Sequence, residues 1–325
     1  MNKYKKIGLS ALAGSLVAMS ASAEVSLSGG ASVTFTSTHD SDKTGYGMAD
    51  SITATYSGET DGGLTVTTSL ELDGGANASS SFDNRSISIA SEDMGTITFS
   101  GHGGDTVMSG WDDMMPTAYE EVFAVTKNSS GAATGAGNMT IAGQTADNTW
   151  RYDSPSVSGA QFSVAYIAAD TGTTAGRISS YSDMGIKISP EAVEGLTIGY
   201  AAGEYDYNAS TLGLDHSTMF ATYAYGSVTV GYQQSDADGP TAATTDESDS
   251  WAVSYAVSDD FSVSYGQHEY DDGDTTLSDQ ESSGFSASYT MGGTSIKAAF
   301  NSTDNIRAAA SNDEDSFEIA ISFAF

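Results

Sequence analysis

From Glu24 to the end of the chain, apolar residues return at every second position, in short runs separated by Gly, Asp and Ser clusters. In the first run Val25, Leu27, Val33 and Phe35 share one phase, while Ser26, Ser28, Ser32 and Thr34 take the other. A period of two puts successive side chains on opposite faces of an extended chain, so each run predicts a strand with one greasy and one wet face. The pattern predicts sixteen such strands: 24–36, 51–60, 64–72, 86–90, 96–100, 148–153, 160–168, 178–189, 195–204, 216–225, 227–235, 250–257, 261–269, 283–291, 294–301 and 316–325. Connections alternate between short, as at Asp61-Gly62-Gly63, 92–95, 226, 259–260 and 292–293, and long, as at 37–49, 73–84, 205–215, 236–249, 270–282 and 302–315. Asp-Gly between alternating runs is a hairpin signal. Short turns on one side and long loops on the other are what a bacterial outer-membrane barrel shows. The expected fold is therefore all-β, a 16-stranded antiparallel transmembrane β-barrel. A buried sandwich core is the competing reading, but the opposite faces are Ser, Thr, Ala and Gly, and no helices are available to cover them.

The alternation stops once, between Gly103 and Asp147. This stretch opens with a weak helical or irregular pattern, carries Asp105, Asp112, Asp113, Glu120 and Glu121, and continues into a Gly/Ala/Thr tail. An insert of this size without its own secondary structure is either functional or disordered. We expect it to fold into the barrel lumen and narrow it.

Other features agree with the segmentation. All four prolines, Pro116, Pro155, Pro190 and Pro240, fall between the runs, where no ladder N–H is needed. Rings at Tyr200, Tyr223, Tyr225, Tyr232, Trp251, Tyr255, Phe261, Tyr265, Phe285, Tyr289 and Phe300 keep to the greasy phase, as aromatic girdles at a bilayer interface would. The last run places Phe317, Ile319, Ile321, Phe323 and Phe325 in one phase and stops on phenylalanine. Frayed polar termini are the norm in ordinary domains, so this end is expected to pair with the first strand and face lipid.

Lys3, Lys5 and Lys6, an apolar stretch at 7–19 and Ala21-Ser22-Ala23 have the form of a secretory signal, which leaves residues 24–325 as the mature barrel. No later apolar run approaches the ~20 residues a spanning helix requires. Without the three signal lysines, 11 − 3 = 8 basic residues face 43 acidic ones, a formal charge of −35. Phosphates would be repelled, which excludes nucleic acid, whereas cations would be attracted. The chain has no cysteine, so disulfide stapling and thiol chemistry are excluded.

Five pieces together resemble the general porins of Gram-negative outer membranes, and more closely the Rhodobacter-type porins of alphaproteobacteria. They are Glu24-Val25-Ser26-Leu27-Ser28-Gly29, Asp61-Gly62-Gly63-Leu64, Met94-Gly95-Thr96-Ile97-Thr98-Phe99-Ser100-Gly101, Tyr152-Asp153-Ser154-Pro155 and the terminal Phe325. The resemblance implies a homotrimer in the outer membrane, among lipid and lipopolysaccharide, with the third external loop folded inward as a constriction. Tyr119-Glu120-Glu121-Val122 resembles part of that loop, but the Pro-Glu-Phe motif common at its tip is absent, with Met114-Met115-Pro116-Thr117 nearby instead.

A channel discriminates by width and by fixed charge at its narrowest point. The five carboxylates of the insert form the acidic side of the expected eyelet. Arg151, Lys187 and Lys297 sit between outward-phase neighbours and so face the lumen, where a charge avoids lipid. Arg85 is drawn two ways: the resemblance puts it in the eyelet, whereas alternation with Ile87 and Ile89 points it outward. We take it as lumen-facing, through a bulge or a rim position. Asp271, Asp272 and Asp274 are candidate Ca²⁺ ligands, since hard cations want several oxygens, although no full EF-hand spacing is present and no cofactor is required.

The expected function is passive diffusion of small hydrophilic solutes and ions, with cations preferred. A substrate-specific channel or adhesin is the alternative; specific sugar channels carry an aromatic track in the lumen, and only Trp111 and Tyr119 could supply one. A membrane hydrolase is disfavoured, because His39, His102, His216 and His268 fit no Ser/His/Asp arrangement.

Overall fold

The structure is a computed structural model that describes residues 24–39, 43–73, 82–123, 140–168, 178–207, 213–239, 245–273, 277–308, 310 and 312–325. The signal-like segment 1–23 lies outside them. Sixteen antiparallel strands close into one barrel. They are β1 (Glu24–Thr38), β2 (Lys43–Glu59), β3 (Thr65–Asp73), β4 (Asn84–Ser91), β5 (Gly95–His102), β6 (Thr149–Asp153), β7 (Ala160–Ile167) and β8 (Ile178–Ile188), followed by β9 (Leu196–Tyr207), β10 (Gly213–Tyr225), β11 (Val228–Asp238), β12 (Thr245–Ala256), β13 (Phe261–Asp271), β14 (Gln280–Met291), β15 (Thr294–Asp304) and β16 (Glu314–Ala324). Each pairs with its sequence neighbours, and β1 closes the ring against β16.

Closure depends on the two chain ends. Register runs from Gly30↔Ala324 to Thr38↔Ser316, and Gly29 and Phe325 exchange N–H···O bonds at 3.2 and 3.0 Å. A Cβ at Gly29 would stand 2.9 Å from the Phe325 ring and 2.6 Å from the Ser51 carbonyl, so only glycine lets that ring lie flat there. No free edge is left, which matters in lipid, where an unpaired ladder has no water to bond.

The register carries one phase round the ring. Val33 faces Met48, Ile52 faces Leu72, Ile87 faces Phe99, Phe99 faces Trp150, and Trp150 faces Tyr166. Farther on, Ile186 faces Tyr200, Tyr232 faces Trp251, and Phe285 faces Phe300. Apart from the half-buried Phe99, these side chains are exposed in the isolated barrel, as a lipid-facing band requires. Near the short turns Tyr225, Tyr255 and Tyr289 form part of a girdle.

The long connections are shorter than alternation predicts. Residues 37–49 are mostly strand, and β11 and β12 extend through Asp236, Asp238, Glu247 and Asp249. Above the hydrocarbon a ladder needs no apolar face, so the strands continue where the hydrophobic signal has ended. Glu204, Asp236, Glu247, Asp249, Glu269, Glu281 and Asp304 occupy the outward phase of these extensions and form an acidic collar on the long-loop side. Pro116, Pro155 and Pro190 lie between strands, and Pro240 is outside the described residues.

Candidate functional site

The described parts of the insert, 103–123 and 140–147, begin with a short ladder of Gly104–Asp105 against Thr145–Ala146. Residues 124–139, the Gly/Ala/Thr tail among them, lie outside the described residues. Every wall partner of 106–123 belongs to the inward phase. Asp183 accepts the N–H groups of Val107 and Met108 at 3.2 and 2.8 Å, and the Tyr181 phenol donates to the same carboxylate at 3.0 Å. Gln233 grips the next turn from both sides, donating to the Trp111 carbonyl at 2.6 Å and accepting from Met114 N at 2.7 Å. Ser264 and Ser286, 2.7 Å apart, accept from Ala118 N at 2.9 Å and Tyr119 N at 3.1 Å. Asn301 donates to the Glu121 carbonyl at 2.9 Å. The backbone of the insert thus trades water for fixed wall acceptors and donors along β8 to β15.

Apolar contact reinforces this path. Val107, Met108 and Trp111 are buried with Ala165, Ala201 and Phe220, and Trp111 meets Phe220 edge-on at 5.4 Å. The insert fits because glycines make room. A Cβ at Gly185 would come within 2.8 Å of Trp111 and Val107, and one at Gly231 within 2.6 Å of Pro116.

The five predicted carboxylates converge. Asp112 is repelled by Glu121 and Asp105, Asp113 by Glu121 and Asp112, and Glu120 by Glu318 and Glu121. Burial, with repulsion from Glu121 and Asp112, pushes the Asp113 carboxyl up to about 6, despite an N–H from Met115 at 2.8 Å. Burial also raises Asp112 and Glu120.

Arg151, Lys187 and Lys297 take the inward phase, but two of them flank the insert instead of opposing it. Arg151 binds Asp153 at 3.0–3.1 Å through Nε and Nη2, and donates Nη1 to the Thr106 carbonyl at 3.0 Å, so it braces the start of the insert. The Lys297 ammonium stands 5.3 Å from the Tyr119 ring centroid. Lys187 lies near the short turn after β8, paired across to Gln161 and Gly199.

The expectation for Arg85 is corrected. Arg85 pairs with Leu70 and shares the outward phase of Ile87 and Ile89, and the register shift that accompanies it falls on β5, beside Gly101. A bulge on the partner strand leaves the phase of β4 intact. As for the candidate Ca²⁺ ligands, Asp274 lies outside the described residues, and Asp271 accepts from Gly273 N at 2.8 Å. Among the described residues no group of three His, Cys, Asp or Glu is placed to hold a metal. Asp183, Gln233, Ser264, Ser286 and Glu318 were not singled out by alternation, which assigns a face without a partner.

The wall away from the insert differs in kind. Its inward phase on β2 to β5 reads Thr53, Thr55, Ser57, Thr67, Ser69, Ser86, Ser88, Thr98 and Ser100, with Glu59, Glu71 and Asp73 toward the mouths. No described residue from Thr44 to His102 is buried, and no Lys or Arg with a described side chain takes the inward phase there.

Comparison with known proteins follows the same lines. The model of the Gram-negative porin family matches residues 8–325. Among solved structures, an anion-selective porin from Comamonas acidovorans superposes with a TM-score of 0.68 at 16% identity, covering 93% of this chain and 100% of that one. A triple variant of the Rhodopseudomonas blastica porin gives 0.66 at 16% identity, with 93% and 100% covered. No curated protein sequence matches the chain.

Proposed function

This chain belongs to the Gram-negative porin family and is an outer-membrane channel barrel, and from that premise we propose that it conducts small hydrophilic solutes and ions passively, with cations preferred. The observation that carries the aqueous path is the hydroxyl wall. The inward side chains of β2 to β5 are enclosed by a complete ring of strands yet are not buried, which requires a hollow lumen beside them. Barrels of about this strand number leave such a channel.

Charge supports the sign of the preference. The insert presents five carboxylates to a wall of hydroxyls, while Arg151 is neutralised by Asp153 and Lys297 lies against the insert itself. With five insert carboxylates set against the one Lys297 ammonium, a cation crossing this gap meets net negative charge, and an anion is repelled by it. The Comamonas porin of the same fold is anion-selective, so the fold leaves the sign to the residues. Trp111 is 5% exposed and packed between the insert and the wall at Phe220, which removes it from any aromatic track for a specific sugar. Trimeric assembly, and contact of the acidic collar with lipopolysaccharide, are part of the same proposal; a heat-dissociable trimer on gel filtration is the expected form.

The test is a planar-bilayer reversal potential under a salt gradient, paired with liposome swelling in solutes of graded size. Cation preference and rates that fall smoothly with size are expected. Anion preference overturns the charge argument, and saturation by one solute favours a specific channel.

A further inference from the structure

Among the described residues, the farthest reach of the insert round the wall, to β16, is made by the Tyr119 side chain. Tyr119 leaves the main chain beside Ser286 of β14, and its phenol crosses β15 to donate to Glu318 Oε1 on β16. Lys297, on the strand in between, places its ammonium over the Tyr119 ring. Glu318 pairs across to Thr36 of β1, so it stands where the covered wall ends and the open hydroxyl wall begins.

We propose that Tyr119, Lys297 and Glu318 form a clasp: the phenol–carboxylate bond positions the end of the constriction, and Glu318 contributes negative charge to the edge of the open path. The inference rests on the pore reading above. A hydrogen bond to an ionised acceptor is about twice as strong as a neutral one, and a cation over a tyrosine face adds attraction from the other side. Before it, the backbone N–H groups of Ala118 and Tyr119 are tied to the serine pair of β13 and β14. With the phenol gone, this end keeps those two bonds, the Thr117 hydroxyl beside the same serine pair, the Asn301 contact and the Phe123 ring against His268, but nothing described ties it to β16.

Position and charge can be separated by two conservative changes. Tyr119→Phe keeps the ring over Lys297 and alters no charge, whereas Glu318→Gln keeps an acceptor oxygen and removes the charge. Single-channel recording of Y119F should show a current with excess flicker and an unchanged reversal potential. E318Q should stay steady while its reversal potential moves toward zero cation preference. Hydrogen exchange at the Ala118 and Tyr119 amides, read without reference to conduction, should quicken roughly tenfold in Y119F. A Y119F protein with unaltered exchange and a steady trace overturns the clasp, as does an E318Q channel with unshifted selectivity. Should the unmodified protein conduct nothing, the pore reading fails while the exchange measurement still decides whether the clasp exists.

Discussion

The two halves of the inner wall obey the same outward rule and opposite inward ones. On both, lipid demands an apolar outer phase, and the register supplies it without interruption. Inside, β8 to β15 carry notches and anchors: Gly185 and Gly231 admit the insert, and Asp183, Gln233, Ser264, Ser286 and Asn301 bond it. The wall from β2 to β5 carries hydroxyls, meets the insert only at its root, where Gly104 packs on Ser100 and Asn84 donates to the Gly103 carbonyl, and has no buried residue among those described from Thr44 to His102. One half is a socket and the other is a bank of the water channel. In the proposed channel, selectivity arises from the asymmetry between them, with charge on the filled socket and uncharged hydroxyls across the gap.

The sharpest way to break this contrast is to add the same bulk to each half. Gly185→Leu would drive side-chain atoms into Trp111 and Val107, and overpacking of a tight contact costs about 1–3 kcal/mol. The insert should lift from its seat, with a several-fold change in conductance and a larger size cut-off in liposome swelling. Thr67→Leu on the hydroxyl wall projects into water and should leave the melting temperature almost unmoved, with a modest fall in conductance. Equal responses from the two variants would mean that the halves are not distinct.

A second change gives the bare bank the charge it lacks. Ser88 lies level with Thr67 and Thr98, and Thr98 pairs with Arg151, so Ser88→Arg sets a cation near the base of the insert with no carboxylate partner on its own strand. An exposed charge close to the ion path is worth roughly 1 kcal/mol in water, about fivefold in partitioning. The cation-to-anion permeability ratio should fall by about that factor at low salt and by less at high salt. An unchanged ratio would remove the hydroxyl wall from the permeation path.

The third effect is smaller and needs no mutation. Asp113 titrates near 6, above its usual 3.8, because burial and the Glu121 and Asp112 charges disfavour its anion. The sign follows: the folded form binds this proton more readily than the unfolded chain, so the charged state at pH 7 destabilises the seat, and acidification through 6 relieves that cost. Cation preference should therefore decline in a step between about pH 7 and 5, before ordinary carboxylates titrate. Asp113→Asn should abolish that step; its persistence would assign the titration elsewhere.

What the sequence shows about this molecule is set by which forces act on every residue. Lipid outside and water inside act at each position of each membrane strand, so the phase of Val33, Trp150, Tyr232 or Ile321 is legible from alternation alone. Strand ends are not legible, because above the apolar band Asp236 or Glu247 can continue a ladder with no hydrophobic mark. Nor are distant partners: alternation turns Arg151 and Lys297 inward, and sets Asp153 beside Arg151 on the same face, but is silent on Thr106 and Tyr119, which meet them only through the path of the insert. Inward-phase glycines at 185 and 231, where Ser or Thr would serve a wet wall, were the signal available for the socket.

Arg85 gives the smallest expected effect and the most direct check on the phase rule. Its Nη2 approaches the Gly101 carbonyl at only 3.4 Å, its strand neighbours Ile87 and Ile89 face outward, and it pairs with outward Leu70 near the long-loop end of β4. There a guanidinium reaches the headgroup region along its own stem while its aliphatic part lies on the wall. It sees the lumen only through the strand and through water, which screens charges beyond about 10 Å at ordinary salt. Arg85→Ala should consequently leave the reversal potential within measurement error and cost at most about 0.5 kcal/mol of stability. Arg151→Ala is the matched contrast: it frees the Thr106 carbonyl and leaves Asp153 without its bidentate partner, so the insert loosens at its root and the lumen gains a negative charge. If both arginines shift selectivity alike, the outward phase assigned to β4 is wrong, and with it the register that joins β3 to β5.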